Sequence, residues 1–249
     1  LFKKENEFTF GSPHFLYLYY RQAGRFKETA DIFADYFPDM EGFFNGLGTG
    51  CNYLTLAEYY LETLDETPAE SNAYKAIYRA KTKEQTGIAI CANFALVRLF
   101  IYQGRFAEAR RYLKQLERDI QKEDNAIYHT TLDMIKVYVA ACLDRPDGLP
   151  AWLLSGEMSS AHFLYQGIAF NYIVHGKALL LSKDYLRLET LTEEIEKYFA
   201  AFSNRLGFLH NRILRAAAKY QLYGIEAGNA ELLEALSFAR EDHIILPFA

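Results

Sequence analysis

At 249 residues, with 51% hydrophobic and 24% charged residues, the chain has the composition of a globular protein and is too apolar for wholesale disorder. Its net charge of −5 argues against nucleic-acid binding, because phosphate neutralisation needs clustered Lys and Arg. Three widely spaced cysteines exclude a disulfide framework and a CxxC zinc site. We expect all three, Cys51, Cys91 and Cys142, to be buried thiols because their neighbours are apolar.

A turn sequence recurs along the chain. Gly24-Arg25-Phe26 is followed by Glu28, and the same pattern returns as Gly104-Arg105-Phe106 followed by Glu108. Half of that interval leads to Leu64-Asp65, between two helix-like segments, and further steps of about 40 residues lead to Asp144, Asp184 and Gly224. The sequence therefore predicts a repeat array with turns near 24, 64, 104, 144, 184 and 224.

The segments on either side of these turns have the apolar spacing of amphipathic helices. In chain order, the clearest apolar faces are Ala92, Leu96, Leu99 and Phe100; Phe106, Ala109, Leu113, Leu116 and Ile120; Leu188, Leu191, Ile195, Tyr198 and Phe202; and Leu232, Leu233, Leu236 and Ala239. A turn glycine favours a left-handed helix C-cap, and we expect the aromatic residue two positions later to fold back onto the preceding helix.

Each repeat is thus predicted to be a helical hairpin, and no segment has the alternation of a strand. A single hairpin cannot bury both apolar faces, so about six of them are expected to stack into a superhelix whose inner wall is formed by the first helices. Linkers rich in Gly, Ser or Pro are absent, so residues 1–249 are predicted to be one all-α domain. The chain begins at Leu1 rather than Met and ends at "IILPFA", and we expect it to be part of a longer protein.

A Gly-aromatic turn followed by Glu and Ala within helical hairpins resembles the tetratricopeptide repeat, although the period here is about 40 residues rather than 34. Longer hairpins of this kind resemble the sensor domain of the large ATP-dependent, MalT-like LuxR-family transcription regulators. The stretches that support the resemblance include "FTFGSPHFLYLYYRQAGRFKETA", "GTGCNYLTLAEYYLET", "AYKAIYRAKTKEQTGIAICANFALVRLFIYQGRFAEA" and "LPFA", which together span most of the chain.

The resemblance implies a right-handed α-solenoid that binds a small effector or a protein partner in its groove. It also implies a bacterial, cytoplasmic regulator whose ATPase and helix-turn-helix modules lie outside this segment. The alternative is a tetratricopeptide-like scaffold that clamps a peptide or helix of a partner. A nucleotide-binding loop upstream and a helix-turn-helix downstream in the reading frame would favour the regulator.

The sequence offers little catalytic or cofactor chemistry. "NGLGTGC" (45–51) contains three glycines before a helix, but no strand precedes it and no Lys-Ser/Thr follows, so a loop between hairpins is favoured over a phosphate site. The six histidines have no metal-ligand spacing, and no nucleophile has a base at a suitable spacing. We therefore expect a non-enzymatic domain without metal or cofactor, without membrane contact and without direct binding of nucleic acid.

The 40-residue step does produce polar columns on the first helices. One column contains Thr131, Asn171 and Asn211, and the other contains Glu58, Arg98 and Tyr138, with Lys177 beside the next position. Polar groups at positions where packing would favour Leu or Ala predict a wet concave wall, with Phe94 and Tyr172 available to stack on a sugar or peptide. We therefore expect these side chains to be partly accessible and to bind the ligand. The alternative is that Asn171 and Asn211 only bridge neighbouring hairpins.

Overall fold

A computed structural model describes residues 48–157, 168–202 and 205–249, together with a few isolated positions before residue 48. This part of the chain contains ten α-helices and no strand, which confirms the all-α prediction. The helices are α1 (Cys51–Glu62), α2 (Glu66–Thr82), α3 (Thr86–Tyr102), α4 (Phe106–Ile120), α5 (Ala126–Cys142), α6 (Ala151–Ser155), α7 (Ile168–Leu181), α8 (Tyr185–Phe202), α9 (Arg205–Tyr223) and α10 (Ile225–Asp242), followed by a 3-10 turn, Leu246–Phe248. Within the described ranges, no helix is both long and apolar enough to cross a membrane.

Turns occur at five of the six predicted places, and the sixth, near residue 24, lies outside the described residues. The chain has a positive φ at Leu64, Gly104, Asp144, Lys183 and Gly224. At the first four of these turns, the amide of the next residue donates to the carbonyl five positions earlier, as in Arg105 N to Phe100 O at 2.8 Å and Asp184 N to Leu179 O at 3.0 Å. This is the Schellman pattern of helix termination, so α1, α3, α5 and α7 end with the same backbone geometry, whereas α9 ends at Gly224 with an extended ψ of −177°.

The Gly-Arg-Phe turn is held by its arginine rather than by its aromatic residue. Phe106 lines the same recess as Val97 and Ile101 of the preceding helix but is 53% exposed, so it is not buried against that helix. The Arg105 guanidinium takes that place, 4.2 Å from the centre of the Phe100 ring. It also donates to Glu108 at 2.6 Å and to Glu70 of the preceding hairpin at 3.1 Å. The glutamate that follows the turn is therefore the partner of the turn arginine, which explains the recurring Gly-Arg-Phe-x-Glu pattern.

The first helices of the hairpins, α1, α3, α5, α7 and α9, form one layer, which we call the inner layer. Each of the first four contacts the next first helix directly, and all but α5 also pack along their own second helix, whereas the second helices make no comparable contacts with one another among the described elements. Large apolar side chains fill the space within and beneath this layer, including Phe94, Phe100, Tyr128, Phe170 and Phe199, all of which are fully buried.

The cysteine prediction holds only in part. Cys51 and Cys91 are buried, but Cys142, the last residue of α5, is exposed.

The regular pairing weakens after α5. The second helix of that pair, α6, has only five residues and lies between Pro150, which precedes it, and Gly156, which ends it at φ 75°. Proline has no amide hydrogen and cannot extend a helix backwards, so Pro146 and Pro150 keep the segment from 143 to 150 irregular. Because α6 packs mainly against α7, it leaves the flank of α4 and α5 without a full second helix.

The end of the described chain returns to its first hairpin. The amide of Ile245 donates to the carbonyl of Glu62 at the end of α1, at 2.8 Å. Leu246 packs against a buried group that includes Leu61 of α1 and Leu99 of α3. The 3-10 turn also contacts α9. The C-terminal segment thus lies on the inner layer and joins the last described pair to the first.

Side-chain ion pairs connect the last three helices, α8, α9 and α10. Glu231 of α10, which is nearly buried, accepts from Arg212 at 2.7 Å and from Lys219 at 2.6 Å, both on α9. Arg212 also reaches Glu196 of α8 at 2.7 Å. Burial acts to raise the pKa of Glu231, but the hydrogen bonds from Lys219 and Arg212 prevail and hold it below the ordinary value. This carboxylate is charged in the folded protein and contributes to stability in that form.

Relief of left-handed strain is expected to stabilise the chain. Lys183 is exposed and has φ 59°, a conformation that costs a non-glycine residue about 1–2 kcal/mol. Lys183→Gly should raise the free energy of unfolding by about 0.5–1 kcal/mol, because glycine also increases the entropy of the unfolded chain. Lys183→Ala removes the same side chain but retains Cβ and should bring no gain. Urea unfolding of the three proteins tests this, and equal stability of the glycine and alanine variants would contradict it.

Removal of the Glu231 charge is expected to change the acid dependence of stability. Glu231→Gln should lower the free energy of unfolding at neutral pH by about 2 kcal/mol, because it removes the charge that Arg212, Arg215 and Lys219 share. The folded-state pKa is below the unfolded one, so this difference is present above pH about 4.3 and is lost as pH falls through the folded value.

The matched control is Glu234→Gln, which removes a 59% exposed carboxylate that pairs with the same Arg212. It should cost less than about 1 kcal/mol. Urea titrations of both variants between pH 3 and 7 provide the measurement, and a parallel, pH-independent loss in the two variants would refute the assignment.

Candidate functional site

The inner layer brings one predicted column together. Arg98 of α3 donates through Nη1 to Oε1 of Glu62 on α1 at 2.8 Å, and both side chains are almost fully buried. The guanidinium lies 5.0 Å from the centre of the Phe94 ring. Phe94 meets the Tyr138 ring of α5 edge-on, with centroids 5.2 Å apart. Arg98, Phe94 and Tyr138 were expected to share a wall, and they are neighbours in the structure.

Two further residues complete this group. Phe170 of α7 stacks on Tyr138 with centroids 6.0 Å apart and an interplanar angle of 21°. Lys177 lies two helical turns after Phe170 on α7, and its Nζ is 4.8 Å from the centre of the Tyr138 ring. We call Glu62, Phe94, Arg98, Tyr138, Phe170 and Lys177 the inner cluster. It draws on four consecutive first helices.

Sequence reasoning missed Glu62 and Phe170. Glu62 lies one helical turn after Glu58, on the same face of α1, so a search for carboxylates one turn along the column would have found it. Phe170 is not at a multiple of 40 residues from Phe94, and no periodic signal marks it. Its position depends on how α7 packs against α5.

The electrostatics of the cluster favour a fixed Arg–Glu pair. Burial acts to lower the pKa of Arg98, but the Glu62 carboxylate prevails and holds that pKa above the ordinary arginine value. Burial raises the pKa of Tyr138, whose hydroxyl therefore stays protonated at neutral pH. Two nitrogens of Arg98, Nε and Nη2, have no acceptor within hydrogen-bonding distance among the described residues. A buried donor without an acceptor costs about 1–3 kcal/mol, and the Tyr138 hydroxyl, whose pKa Arg98 acts to lower, offsets part of that cost.

The predicted accessibility of the polar columns is wrong. The six polar residues of the two columns are all buried: Glu58, Arg98, Thr131, Tyr138, Asn171 and Asn211. A polar side chain on an inner helix is buried when neighbouring helices approach closely enough to exclude water and supply a partner. Whether any of these side chains binds a ligand remains a prediction.

In the column of Thr131, Asn171 and Asn211, two side chains donate hydrogen bonds to backbone carbonyls. Thr131 donates to the carbonyl of Ile127 in its own helix at 2.8 Å. Asn211 of α9 donates to the carbonyl of Thr192 in α8 at 2.9 Å, so it bridges neighbouring hairpins as the alternative proposed. Tyr172, which is half-buried, meets the Tyr198 ring of α8 edge-on at 5.6 Å rather than joining the inner cluster. Asn171 is buried on α7.

The glycine-rich segment before α1 uses its amides within the protein. The amide of Gly48 donates to Gln85 Oε1 at 3.2 Å. Those of Thr49 and Cys51 donate to backbone carbonyls of the same loop at 3.1 and 2.9 Å. These amides are therefore not directed at a phosphate, and the interpretation as a loop is favoured. In the described ranges no three His, Cys, Asp or Glu side chains lie close enough together to hold a metal ion.

Comparison with known proteins found no match, either among protein-family models or among curated proteins.

Loss of Arg98 alone is expected to destabilise the fold. Arg98→Met should lower the free energy of unfolding by about 3–5 kcal/mol, because it leaves the Glu62 carboxylate buried without its cation. Replacement of both partners, Glu62→Leu with Arg98→Met, should recover most of that loss, because two apolar side chains can pack where the ion pair lay.

The control is Arg105→Met, which breaks the half-exposed turn pairs and should cost about 1 kcal/mol or less. Thermal and urea unfolding of the wild type, Glu62→Leu, Arg98→Met and the double variant form a double-mutant cycle, with Arg105→Met as the control. A loss in Arg98→Met no larger than that in the control would show that the inner pair is not sealed from water.

Proposed function

We propose that this chain is the effector- or partner-binding sensor domain of a MalT-like LuxR-type bacterial transcription regulator. In this proposal the ATPase and helix-turn-helix modules belong to the same cytoplasmic protein outside this segment. The chain itself binds a signal molecule in the inner layer and does not contact DNA. Effector binding would then change the balance between two arrangements of the whole regulator.

The observation that supports a binding role is the burial and incomplete hydrogen bonding of the Arg98 guanidinium. A guanidinium that is 3% exposed, and whose Nε and Nη2 lie within hydrogen-bonding distance of no acceptor among the described residues, is energetically unfavourable unless another acceptor meets it. It is surrounded by the aromatic rings of Phe94 and Tyr138, and the half-buried Lys177 lies at the other side of Tyr138. Aromatic faces with a few fixed polar groups are typical of small-molecule sites. A small polar effector with acceptor oxygens suits this group.

The helix packing supports the proposed shape. Direct contacts between successive first helices, without comparable contacts between second helices, favour curvature with the first helices inside. The bond from Ile245 to Glu62 brings the last described pair back to the first. We infer a right-handed superhelix of hairpins with the inner cluster on its concave side.

One observation favours the scaffold function as the second candidate. Leu246 lies against Leu61 and Leu99, so the inner layer already accepts an apolar segment that forms a 3-10 turn rather than an α-helix. A partner peptide with the same chemistry could bind there in place of the C-terminal segment.

A ligand screen on the 249-residue chain tests the sensor proposal. Sugars, small carboxylates and short peptides would be screened by thermal shift, since a ligand at one hundred times its Kd stabilises the native state by about 2.7 kcal/mol. Hits would be titrated against Tyr138→Phe and Lys177→Gln, which change the cluster without removing the buried ion pair. Each variant should weaken binding by about tenfold, with its own melting temperature unchanged.

The matched control is Lys197→Gln, at an exposed position on α8. A hit with the same affinity for the wild type and both cluster variants would exclude the inner cluster as the effector site. A screen in which only peptides bind, in competition with the C-terminal segment, would favour the scaffold.

A further inference from the structure

A recess lies apart from the inner cluster, on the flank of α4 and α5 that the short helix α6 does not cover. It has a volume of about 490 Å³ and is bounded by α3, α4, α5 and the loop that follows α5. This is within the range of about 300–1,000 Å³ typical of small-molecule sites. We call this recess the side groove.

The floor of the side groove is apolar. It is lined by Val97 and Ile101 of α3, Leu113 of α4, Val139 of α5, and Leu143 just after the end of α5. Ile101, Leu113 and Leu143 are only partly buried, so the surface they form is in contact with solvent. Transfer of an apolar ligand onto this surface removes both from water.

The rim of the side groove is basic, although the chain as a whole is acidic. Arg110, Lys136 and Arg145 line it together with Asp147. Lys136 is engaged with Glu117 at 2.6 Å. Arg110 and Arg145 are exposed, and neither forms an ion pair with any residue that the structure describes. Their guanidiniums are therefore available to a carboxylate, which arginine binds through two parallel hydrogen bonds.

We propose that the side groove binds a small amphiphilic anion, with an acyl chain or aromatic body on the apolar floor and a carboxylate at Arg110 and Arg145. This site shares no residue with the inner cluster, and the proposal does not depend on the function proposed for that cluster. Its position between two hairpins means that an occupant would contact α3, α4 and α5 at once.

Isothermal titration of the purified chain with dodecanoate, below its micellar concentration, tests the proposal. Dodecanoate should bind saturably at one site, and dodecanol, which has the same chain without the charge, should bind about tenfold more weakly. Arg110→Gln with Arg145→Gln should weaken dodecanoate binding by about tenfold, because both carboxylate partners are removed.

Three further variants test whether binding is specific to the side groove. Arg111→Gln with Arg118→Gln removes the same charge from exposed positions of α4 outside the groove and should leave the affinity for dodecanoate within about twofold. Ala140→Phe places a ring in the recess and should abolish binding, with far-UV circular dichroism confirming that the variant is folded. Lys177→Gln, in the inner cluster, should have no effect.

The proposal is overturned if dodecanoate does not bind, or if dodecanol binds equally well. It is also overturned if the two arginine double variants weaken binding equally, because the effect is then one of net charge. Loss of dodecanoate binding in Lys177→Gln alone would assign the ligand to the inner cluster.

Discussion

The left-handed residue that ends four of the five first helices is the constraint on which the array depends. An α-helix leaves its last carbonyls without partners, and a Schellman turn satisfies them while reversing the chain within three residues. The same bond, from the residue after the turn to the carbonyl five positions earlier, occurs after α1, α3, α5 and α7. Because these four pairs reverse with the same geometry, successive first helices fall into one layer. The inner cluster exists only because that layer is continuous.

The inner cluster contains a buried ion pair because polar side chains recur on the first helices inside this layer. Burial of a cation and a carboxylate contributes little net stability, and an apolar pair of the same volume would often contribute more. The Arg98–Glu62 pair is therefore a weak argument for stability and a better one for binding or specificity. The aromatic rings of Phe94, Tyr138 and Phe170 hold the guanidinium in place from neighbouring helices. That preorganised arrangement lowers the entropy lost when an acceptor binds.

Most of the helix pairing could be predicted from the sequence, and most of the site's environment could not. The positions 64, 104, 144 and 224 follow from the repeat even where Leu64 and Asp144 replace glycine, because the spacing of apolar faces determines the turns. Arg98 and Tyr138 meet because equivalent positions of a repeat share a wall. Their burial was not predictable. The partner of Asn211 is a backbone carbonyl of α8, and a backbone acceptor leaves no mark in the pattern of side chains.

The contact between Ile245 and Glu62 has a consequence for how this chain folds. In an open array of helical pairs each unit touches only its neighbours, so stability is a sum of local terms and the ends can unravel independently. Here a backbone bond and the packing of Leu246 connect residues almost two hundred positions apart. Such a contact raises the contact order. Fraying at one end breaks a contact made by the other, so the local stabilities of the two ends are linked through this bond.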